Sequence, residues 1–471
     1  MAERPSMFQL IEQTSGFPEL AVRFLLCLLT AYPFAFTYRL AIRQRRPWIQ
    51  HLFSTSCGLG VCYFVFGLEC LHSLLNIVMM YCLLHFGGPT RQTVALSLIL
   101  NMGYLWLGFY YRIVDEFMID WSVPHCILCL RLMGLAWDYY DGNNINNNEV
   151  SEDMKTTMIH QPPSLLEMLG YSYFFGSFLV GPQFPIRKYL SMVEGNLIDK
   201  DISERTCVPE GLRRLFLGLF YGVSFAILSP FFGAQHFLTP WFEEISFFRR
   251  MWFITWFGKV LWFKYLALFL VSEGSCIIAG LGYNGKDPDG NPQWDGVANM
   301  KIISYETSLS VLEIIQSFHL QTSLWLVRYV YKRLKFLGNR FLSLGLSQTF
   351  LAVWHGYMIG YYLLFVLQFF YVVFEKTFIS TWQRFGGLPV YDMPFLAQVP
   401  LVPLLYVVKQ MMTSYGCVPL ALLHWHKIQR VFTLTYYAPV VLVCAWDLVL
   451  YPLVFYPAVR SKSRTNVKKW S

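Results

Sequence analysis

Long apolar runs separated by short polar segments form the dominant pattern along this chain of 471 residues. Most of these runs approach or exceed the roughly 20 residues that an α-helix needs to cross a bilayer. They lie near residues 20–42, 52–68, 70–86, 92–111, 121–140, 164–181, 212–232, 252–282, 342–374, 393–423 and 432–457. The pattern predicts an all-α, polytopic membrane bundle of about eleven spans, with a polar to amphipathic lead (1–19), one membrane-embedded domain (20–457) and a cytosolic tail (458–471).

Composition agrees with a lipid environment for most of the chain. Hydrophobic residues make up 55% of the sequence and charged residues 14%, whereas ordinary globular chains carry about 25% charged residues. The net charge of +8 is distributed over short basic patches that flank the apolar runs, which favours topology signals over nucleic-acid binding. Cys126 and Cys129 follow His125 on a predicted helix, and we interpret them as small buried residues without a bound metal.

Local motifs predict where several elements begin or end. Ser164 and Glu167 have the spacing of a capping box, in which the two side chains satisfy unpaired backbone donors at the start of a helix. The segment 181–185 contains Gly181 and two prolines and predicts a break in the helical structure. The segment 138–142 reads Asp-Tyr-Tyr-Asp-Gly, which we interpret as a helix end at the membrane interface.

Charged residues within the apolar runs are expected to avoid lipid. We predict that Lys259 and Lys264 reach the membrane surface with their long side chains, and that Glu273 faces protein, in a structural rather than a catalytic role. Residues 300–341 mix aromatic with basic side chains and predict short, partly amphipathic helices at a membrane surface.

Charges near the two ends of the chain predict its orientation and location. The basic residues 43–46, which follow the first predicted span, favour a cytosolic location for that end of the span. The N-terminus is then expected in the lumen and, with an odd number of spans, the C-terminus in the cytosol. Lys468 and Lys469 then form a dilysine retrieval signal for the endoplasmic reticulum. The alternative is a basic tail that binds anionic lipid.

Two histidines in apolar surroundings are candidates for chemistry. His355 lies within the run 342–374, where a polar side chain usually faces protein or water rather than lipid. His319 precedes it, and a basic segment lies between the two histidines. Its candidate anion-binding residues are Arg328, Lys332, Arg333 and Lys335. A proton acceptor, a second polar group and an anion-binding patch suit a reaction on an anionic co-substrate. The alternatives are a structural histidine and basic residues that anchor a loop at the membrane.

A set of short motifs carries a family resemblance. In order, they are Pro124-His125-Cys126, 138–142, 163–167, 178–184, 280–285, Trp294-Asp295, 298–301, 332–339 and Trp354-His355-Gly356. Together they resemble the membrane-bound O-acyltransferase family, and more closely its lysophospholipid branch.

The resemblance implies a reaction inside the helical bundle. A fatty acyl group would pass from acyl-CoA to the free sn-2 hydroxyl group of lysophosphatidylcholine, and also of lysophosphatidylethanolamine and lysophosphatidylserine. His355 would act as the base, with His319 as the second catalytic group. Substrate-binding residues would be Trp294, Asp295, Asn299 and Trp354. We assign the CoA phosphates to the basic segment, because Arg and Lys match their charge.

These assignments imply a particular set of ligands and partners. Acyl-CoA is a co-substrate, and no cofactor is bound permanently. Lysophospholipid and membrane lipid are the expected partners, the location is the endoplasmic reticulum membrane, and a homodimer is left open.

One position departs from the family pattern. The family pairs its histidine with an asparagine in a Ser-Phe-Asn context, and here that context reads Ser317-Phe318-His319. The interval of 36 residues (355 − 319) matches the family spacing. A neutral imidazole, like an amide, offers an N–H donor. Two charged imidazoles would repel each other in a low-dielectric site, so we expect at least one to be neutral at pH 7.

Three other functions are left open by the sequence. A relative with the same fold could use a sterol, a diacylglycerol or a secreted protein as acceptor. An inactive lipid-binding protein is consistent with the histidine at position 319. A transporter is disfavoured, because transporters often contain internal repeats and we find none.

Overall fold

Helices form nearly all of the regular structure in the computed structural model, which describes residues 7–8, 12–13, 18–111, 119–144 and 152–457. Within these residues the α-helices are α1 (Glu19–Thr37), α2 (Pro47–Phe66), α3 (Cys70–Gly87), α4 (Arg91–Tyr111), α5 (Ser122–Asn144), α6 (Glu152–Lys155), α7 (Leu165–Ser172), α8 (Ile186–Val193), α9 (Cys207–Phe232), α10 (Pro240–Glu244), α11 (Phe247–Ile278), α12 (Ile302–Thr307), α13 (Val311–Ser317), α14 (Leu320–Leu326), α15 (Arg340–His355), α16 (Ile359–Arg384), α17 (Phe395–Leu422), α18 (Trp425–Leu434) and α19 (Ala438–Cys444).

Tighter and wider helical turns connect several of these elements. π-Helical turns cover Tyr38–Ile42, Val327–Tyr331 and Ala445–Phe455, and 3₁₀ turns cover Gly67–Glu69, Glu204–Thr206, Ala234–Leu238, Lys332–Leu337 and Val390–Asp392. The described residues include an isolated antiparallel β-bridge between Lys286 and Pro292, and they contain no extended strand. The all-α prediction is confirmed.

Eight helical segments in the described part of the chain are long and apolar enough to cross a membrane. They are Glu19–Ile42, Pro47–Gly87, Arg91–Tyr111, Cys207–Leu238, Phe247–Ile278, Ile359–Arg384, Phe395–Leu422 and Ala438–Phe455. The protein is therefore a multi-pass membrane protein. The count of about eleven spans and the boundaries of the embedded domain stay predictions, and the dilysine tail lies outside the described residues.

The chain divides into two units, each with its own hydrophobic core. The first unit comprises Met1–Gly222, Tyr265–Met300 and Leu320–Ser347, and the second comprises Val223–Lys264, Lys301–His319 and Gln348–Ser471.

In the first unit, buried charged residues are paired inside the protein. Arg131 on α5 is 2% exposed, and its guanidinium donates to the carbonyl oxygens of Tyr171, Ser172, Ser177 and Pro182 at 3.0–3.2 Å. Because a buried charge is costly unless its hydrogen bonds are made, this contact holds the non-helical segment that follows α7 against α5. Glu273 is fully buried and lies 3.1 Å from Nε of Arg214, which confirms its predicted orientation toward protein.

In the second unit, α11 and α17 approach closely at Gly258. A Cβ atom at this position would lie 2.2 Å from Oγ of Ser414, so only glycine fits without displacement. The Ser414 hydroxyl donates to the carbonyl oxygen of Thr255 at 3.0 Å, which links the two helices through a polar contact as well.

Several local predictions are confirmed. The Ser164 hydroxyl accepts from the backbone of Glu167, and the Glu167 carboxylate accepts from the backbone of Ser164, as expected for a capping box. Residues 181–185 are non-helical, as the glycine and two prolines predict. Residues 300–341 form the predicted short helices, which include α12, α13 and α14.

Two interpretations are wrong. Residues 138–142 do not end a helix, because α5 continues to Asn144. The run 342–374 is not one span, because the chain breaks between α15 and α16. The location of Lys259 and Lys264 at the membrane surface stays a prediction, and Lys259 is 14% exposed and forms an ion pair with Glu306.

Candidate active site

The Trp-His-Gly tripeptide marks a sharp turn between two helices. Helix α15 ends at His355, and α16 begins at Ile359. Gly356, between them, has φ of 124°, a backbone angle that residues with a side chain rarely adopt. The glycine therefore stops α15 directly after the histidine and leaves the imidazole at a helix end.

Aromatic rings surround the His355 imidazole within the second unit. The ring stacks on Tyr361 with centroids 5.4 Å apart, and the rings of Trp354 and Phe365 lie at 4.6 and 5.7 Å. Burial lowers the pKa of His355 from 6.5 to about 4. The imidazole is therefore neutral at pH 7, with a lone pair that can accept a proton.

His319 lies in the short connection between α13 and α14, with φ of 52°. This left-handed conformation is uncommon for residues with a side chain, and Asn, Asp and His are enriched in it. Two residues earlier, the carbonyl oxygen of Ser317 accepts a hydrogen bond from the backbone N–H of Lys301 at 2.9 Å. Phe318 contacts Trp262 edge to face, with centroids 4.4 Å apart.

The two histidines are close enough to influence each other. Burial, and after it the imidazole of His355, lowers the pKa of His319 to about 3. Both rings lie outside the eight candidate spans. The arrangement is a pair of neutral imidazoles, in which one ring can accept a proton while the other donates an N–H group.

Glu375 on α16 holds the start of α13. Its carboxylate accepts from the hydroxyl of Ser310 and from the backbone N–H groups of Val311 and Leu312, the latter two at 2.7 and 3.1 Å. Because these N–H groups have no partner inside the helix, the carboxylate acts as an N-cap supplied by another helix. Sequence reasoning missed Glu375, although an acidic residue within an apolar run is a recognisable signal.

The predicted CoA-binding residues belong to the first unit, and most contact carboxylates. Arg328 and Lys332 share Asp153, with 2.8 Å between the lysine Nζ and a carboxylate oxygen. Arg333 forms an ion pair with buried Asp141. Lys335 is exposed, and no carboxylate in the described part of the chain lies within ion-pair distance of its ammonium group.

The motif around Trp294 also belongs to the first unit. Trp294 is buried against Tyr283, with ring centroids 5.5 Å apart, while Asp295 is exposed and accepts from Asn284 at 2.9 Å. Asn299 is 1% exposed, and its carbonyl oxygen accepts from the backbone of Leu320 at 3.0 Å. Its side-chain oxygen accepts from the next backbone N–H at 3.4 Å. Asn299 thus fixes the backbone at the start of α14.

Of the predicted site residues, the second unit contains His319, Trp354 and His355, and it brings the two histidines together. The basic segment and residues 294–299 belong to the first unit, where ion pairs and backbone contacts engage most of them. The carboxylates that contact the basic segment, Asp141 and Asp153, were not predicted, because only the folded chain brings them to it.

Comparison with known proteins shows extensive similarity to one group of enzymes. The family model described as MBOAT, membrane-bound O-acyltransferase family, matches residues 106–418. Lysophospholipid acyltransferase 5 of Homo sapiens is 39% identical over 427 residues, which cover 90% of this chain and 86% of that protein. The protein of the same name from Drosophila melanogaster is 40% identical over 363 residues, 77% of this chain and 72% of its own. Lysophospholipid acyltransferase 2 of Arabidopsis thaliana is 30% identical over 458 residues, 94% of this chain and 95% of its own.

Proposed function

The chain belongs to the membrane-bound O-acyltransferase family, and we propose that it transfers a fatty acyl group from acyl-CoA to the free sn-2 hydroxyl group of a lysophospholipid. It is an acyltransferase of the membrane. The names of its relatives support a lysophospholipid acceptor. Within this class we propose lysophosphatidylcholine first, with lysophosphatidylethanolamine and lysophosphatidylserine as further acceptors.

The neutral imidazole pair is the observation that carries the proposal. Acyl transfer to an alcohol needs a base for the hydroxyl proton, and a base acts only when it is unprotonated. His355, whose pKa is lowered to about 4 by burial, meets this condition throughout the neutral pH range. The N–H group of neutral His319 suits the second requirement, stabilisation of the charge that develops on the thioester oxygen.

The reaction then proceeds through one proton carrier. The acceptor oxygen bonds to the thioester carbonyl carbon while His355 takes the hydroxyl proton. As the tetrahedral intermediate collapses, the carbon–sulfur bond breaks and the His355 imidazolium gives this proton to the leaving sulfur of CoA. A positioned base contributes on the order of 10² to 10⁴ in rate, and one donor to the oxyanion about 3–4 kcal/mol.

The CoA phosphates require cationic partners, and we propose Arg328, Lys332, Arg333 and Lys335 for them. Exposed Lys335 is the most accessible of the four. Asp153 partly neutralises Arg328 and Lys332, so a phosphate group would compete with this carboxylate or add a further anion to a shared cluster.

For the location we propose the endoplasmic reticulum membrane, on the basis of Lys468 and Lys469. Replacement of both by serine in the full-length chain should release the protein to later compartments. An unchanged distribution would contradict a retrieval role for the tail.

The function is tested with the purified full-length chain in lipid nanodiscs. The enzyme is given acyl-CoA with an isotope-labelled acyl chain and one acceptor at a time: lysophosphatidylcholine, lysophosphatidylethanolamine, lysophosphatidylserine, a sterol or a diacylglycerol. The label should enter diacyl phospholipid. Label in sterol ester or triacylglycerol alone would contradict the acceptor class, and absence of label in every product would contradict the activity.

A further inference from the structure

Lys409 is a buried cation at the middle of a candidate membrane span. It lies on α17 and is 3% exposed, and in the described part of the chain no acceptor forms a hydrogen bond with its Nζ. The nearest aromatic ring is that of Tyr406, with its centroid 4.0 Å from Nζ. A cation–π contact with tyrosine stabilises an ammonium group only partly, and it leaves the three N–H donors without an acceptor.

A second lysine and one carboxylate accompany it in the second unit. Lys259 on α11 forms an ion pair with Glu306 on α12, and both are charged neighbours of Lys409. The Lys259 ammonium also lies 5.1 Å from the ring centroid of Tyr305. Among the residues that the structure describes, the cluster therefore contains two ammonium groups and one carboxylate, and its net charge is positive when all three groups are ionised.

The helices that carry the two lysines are held together next to the cluster. Gly258, adjacent to Lys259, packs directly against Ser414, one turn beyond Lys409. Gln410 donates to the same Ser414 hydroxyl at 3.1 Å. The two helices are therefore in direct contact beside the cluster, through Gly258 and through the hydrogen bond from Ser414 to the Thr255 carbonyl oxygen.

A positively charged cluster of this kind is costly in an apolar interior unless an anion completes it. Ionisable residues at membrane depth usually face a functional site for this reason. The proposed substrates both carry the required group, since a lysophospholipid has a phosphodiester and acyl-CoA has several phosphates.

We propose that Lys409 and Lys259 form a binding site for the phosphate group of an amphiphilic substrate, with Glu306 holding Lys259 in place. The proposal extends the proposed function, since it assigns to that function a second cationic site besides the basic segment 328–335. The phosphate belongs to the lysophospholipid or to acyl-CoA, and the two sources are distinguished by the experiment below.

Ligand-induced thermal stabilisation of the purified full-length chain tests the site without turnover. Each ligand is added alone: palmitoyl lysophosphatidylcholine, palmitoyl-CoA, or monopalmitoylglycerol, which has the acyl chain but no phosphate. A ligand that binds only the folded protein raises its unfolding temperature, and at a fixed ligand concentration the increase grows with the logarithm of the affinity. The variants are K409M, which replaces the lysine by an unbranched, uncharged side chain one atom shorter, and K409R, which keeps the charge. K376M serves as a matched control, because Lys376 is exposed on α16.

We expect K409M to lose at least tenfold in affinity for one of the two phosphate ligands, while K409R and K376M keep it. The ligand that is affected identifies the source of the phosphate. Affinity for monopalmitoylglycerol should be unchanged. Without ligand, K409M should unfold at the wild-type temperature or above, since an unpaired buried charge has been removed.

Unchanged binding of both phosphate ligands by K409M would overturn the site, as would an equal loss of monopalmitoylglycerol binding. If K409M does not fold, K409Q replaces it with the same expectations. The binding experiment does not require acyl transfer. An inactive wild-type protein would therefore contradict the proposed function, but the effect of K409M on phosphate-ligand binding would still be interpretable.

Discussion

The His355 imidazole lies close enough to His319 to affect its protonation: burial, and after it this imidazole, lowers the pKa of His319 to about 3. Burial lowers the pKa of His355 to about 4. Both rings are therefore unprotonated at neutral pH, which is the state that the proposed base and the proposed N–H donor require.

The pH dependence of acyl transfer follows from these values. We predict that kcat/KM stays nearly constant from pH 8 down to about pH 5 and falls with a midpoint near the lowered pKa of His355. An exposed histidine would give a midpoint near 6.5. Initial rates in a series of buffers at constant ionic strength measure the midpoint, and a value of 6.5 would contradict a buried base.

Stability must be followed in the same buffers. The unfolded chain protonates both histidines below pH 6.5, whereas the native state does so only near pH 3 to 4. The unfolded state then binds more protons, so the free energy of unfolding falls as the pH drops from 6.5 toward 4, by up to about 1.4 kcal/mol per pH unit for each histidine. Dividing each initial rate by the fraction of protein that is folded at that pH separates the loss of folded enzyme from protonation of the base.

Substitutions of His319 distinguish its N–H group from its backbone role. We predict that H319N keeps activity within about tenfold, because asparagine offers an N–H donor and tolerates the φ of 52°. H319A removes the donor, and its kcat should fall by about 10² to 10³. Steady-state kinetics on both variants provide the check. Equal activity of H319A and wild type would exclude a catalytic role for this side chain.

Glu375 should contribute to stability through the start of α13. E375A leaves the N–H groups of Val311 and Leu312 without their acceptor, and we expect a loss of about 1–2 kcal/mol. E375Q keeps an acceptor oxygen and should lose less. Thermal unfolding in detergent measures both variants, with K376A at the adjacent exposed position as control. A wild-type unfolding temperature for E375A would show that the cap is not needed.

Gly258 should tolerate no side chain. In G258A the new methyl group would overlap Ser414, whose Oγ and Cα lie 2.2 and 2.5 Å from the Cβ position, so we expect destabilisation by about 1–3 kcal/mol. G60A is the matched control, because no atom of the described residues lies within 4 Å of its Cβ position and alanine favours a helix. Chemical denaturation of the two variants compares them directly. Equal free energies of unfolding for G258A and G60A would contradict a tight contact between α11 and α17 at Gly258.

The parts of the fold that depend on local sequence could be predicted. The capping box at Ser164 and Glu167 needs only four consecutive residues, and the break at 181–185 follows from the geometry of glycine and proline. The orientation of Glu273 follows from the cost of placing a carboxylate in lipid. In each case one residue type or a short spacing decides the outcome.

The remaining features depend on partners that are distant in the chain. The ion pair of Lys259 was not predicted, because Glu306, which supplies the counter-ion, lies 47 positions away. Helix α5 continues through 138–142 because Asp138 and Asp141 bind Tyr329 and Arg333. Neither pair has a sequence signal that identifies it.

In the candidate site, too, some features could be predicted from the sequence and others depend on partners that are distant in the chain. The two histidines were predicted as a catalytic pair from their spacing and the family resemblance. The His355 imidazole does contribute to the lowered pKa of His319, while their catalytic role stays a prediction. The break of the run 342–374 at Gly356 was not predicted, because glycine also occurs within helices that cross a membrane. The role of Glu375 was missed because its partners, the Ser310 hydroxyl and the backbone N–H groups of Val311 and Leu312, lie 63 to 65 positions earlier in the chain.

The central claim is that the His355 imidazole takes the acceptor's proton, and single-turnover acyl transfer by H355A tests it most directly. Wild type and H355A, both shown to be folded by thermal unfolding, are mixed with labelled acyl-CoA and lysophosphatidylcholine, and the phospholipid formed is quantified. We predict that H355A loses on the order of 10² to 10⁴ in rate. Product formation by H355A at the wild-type rate would contradict the account.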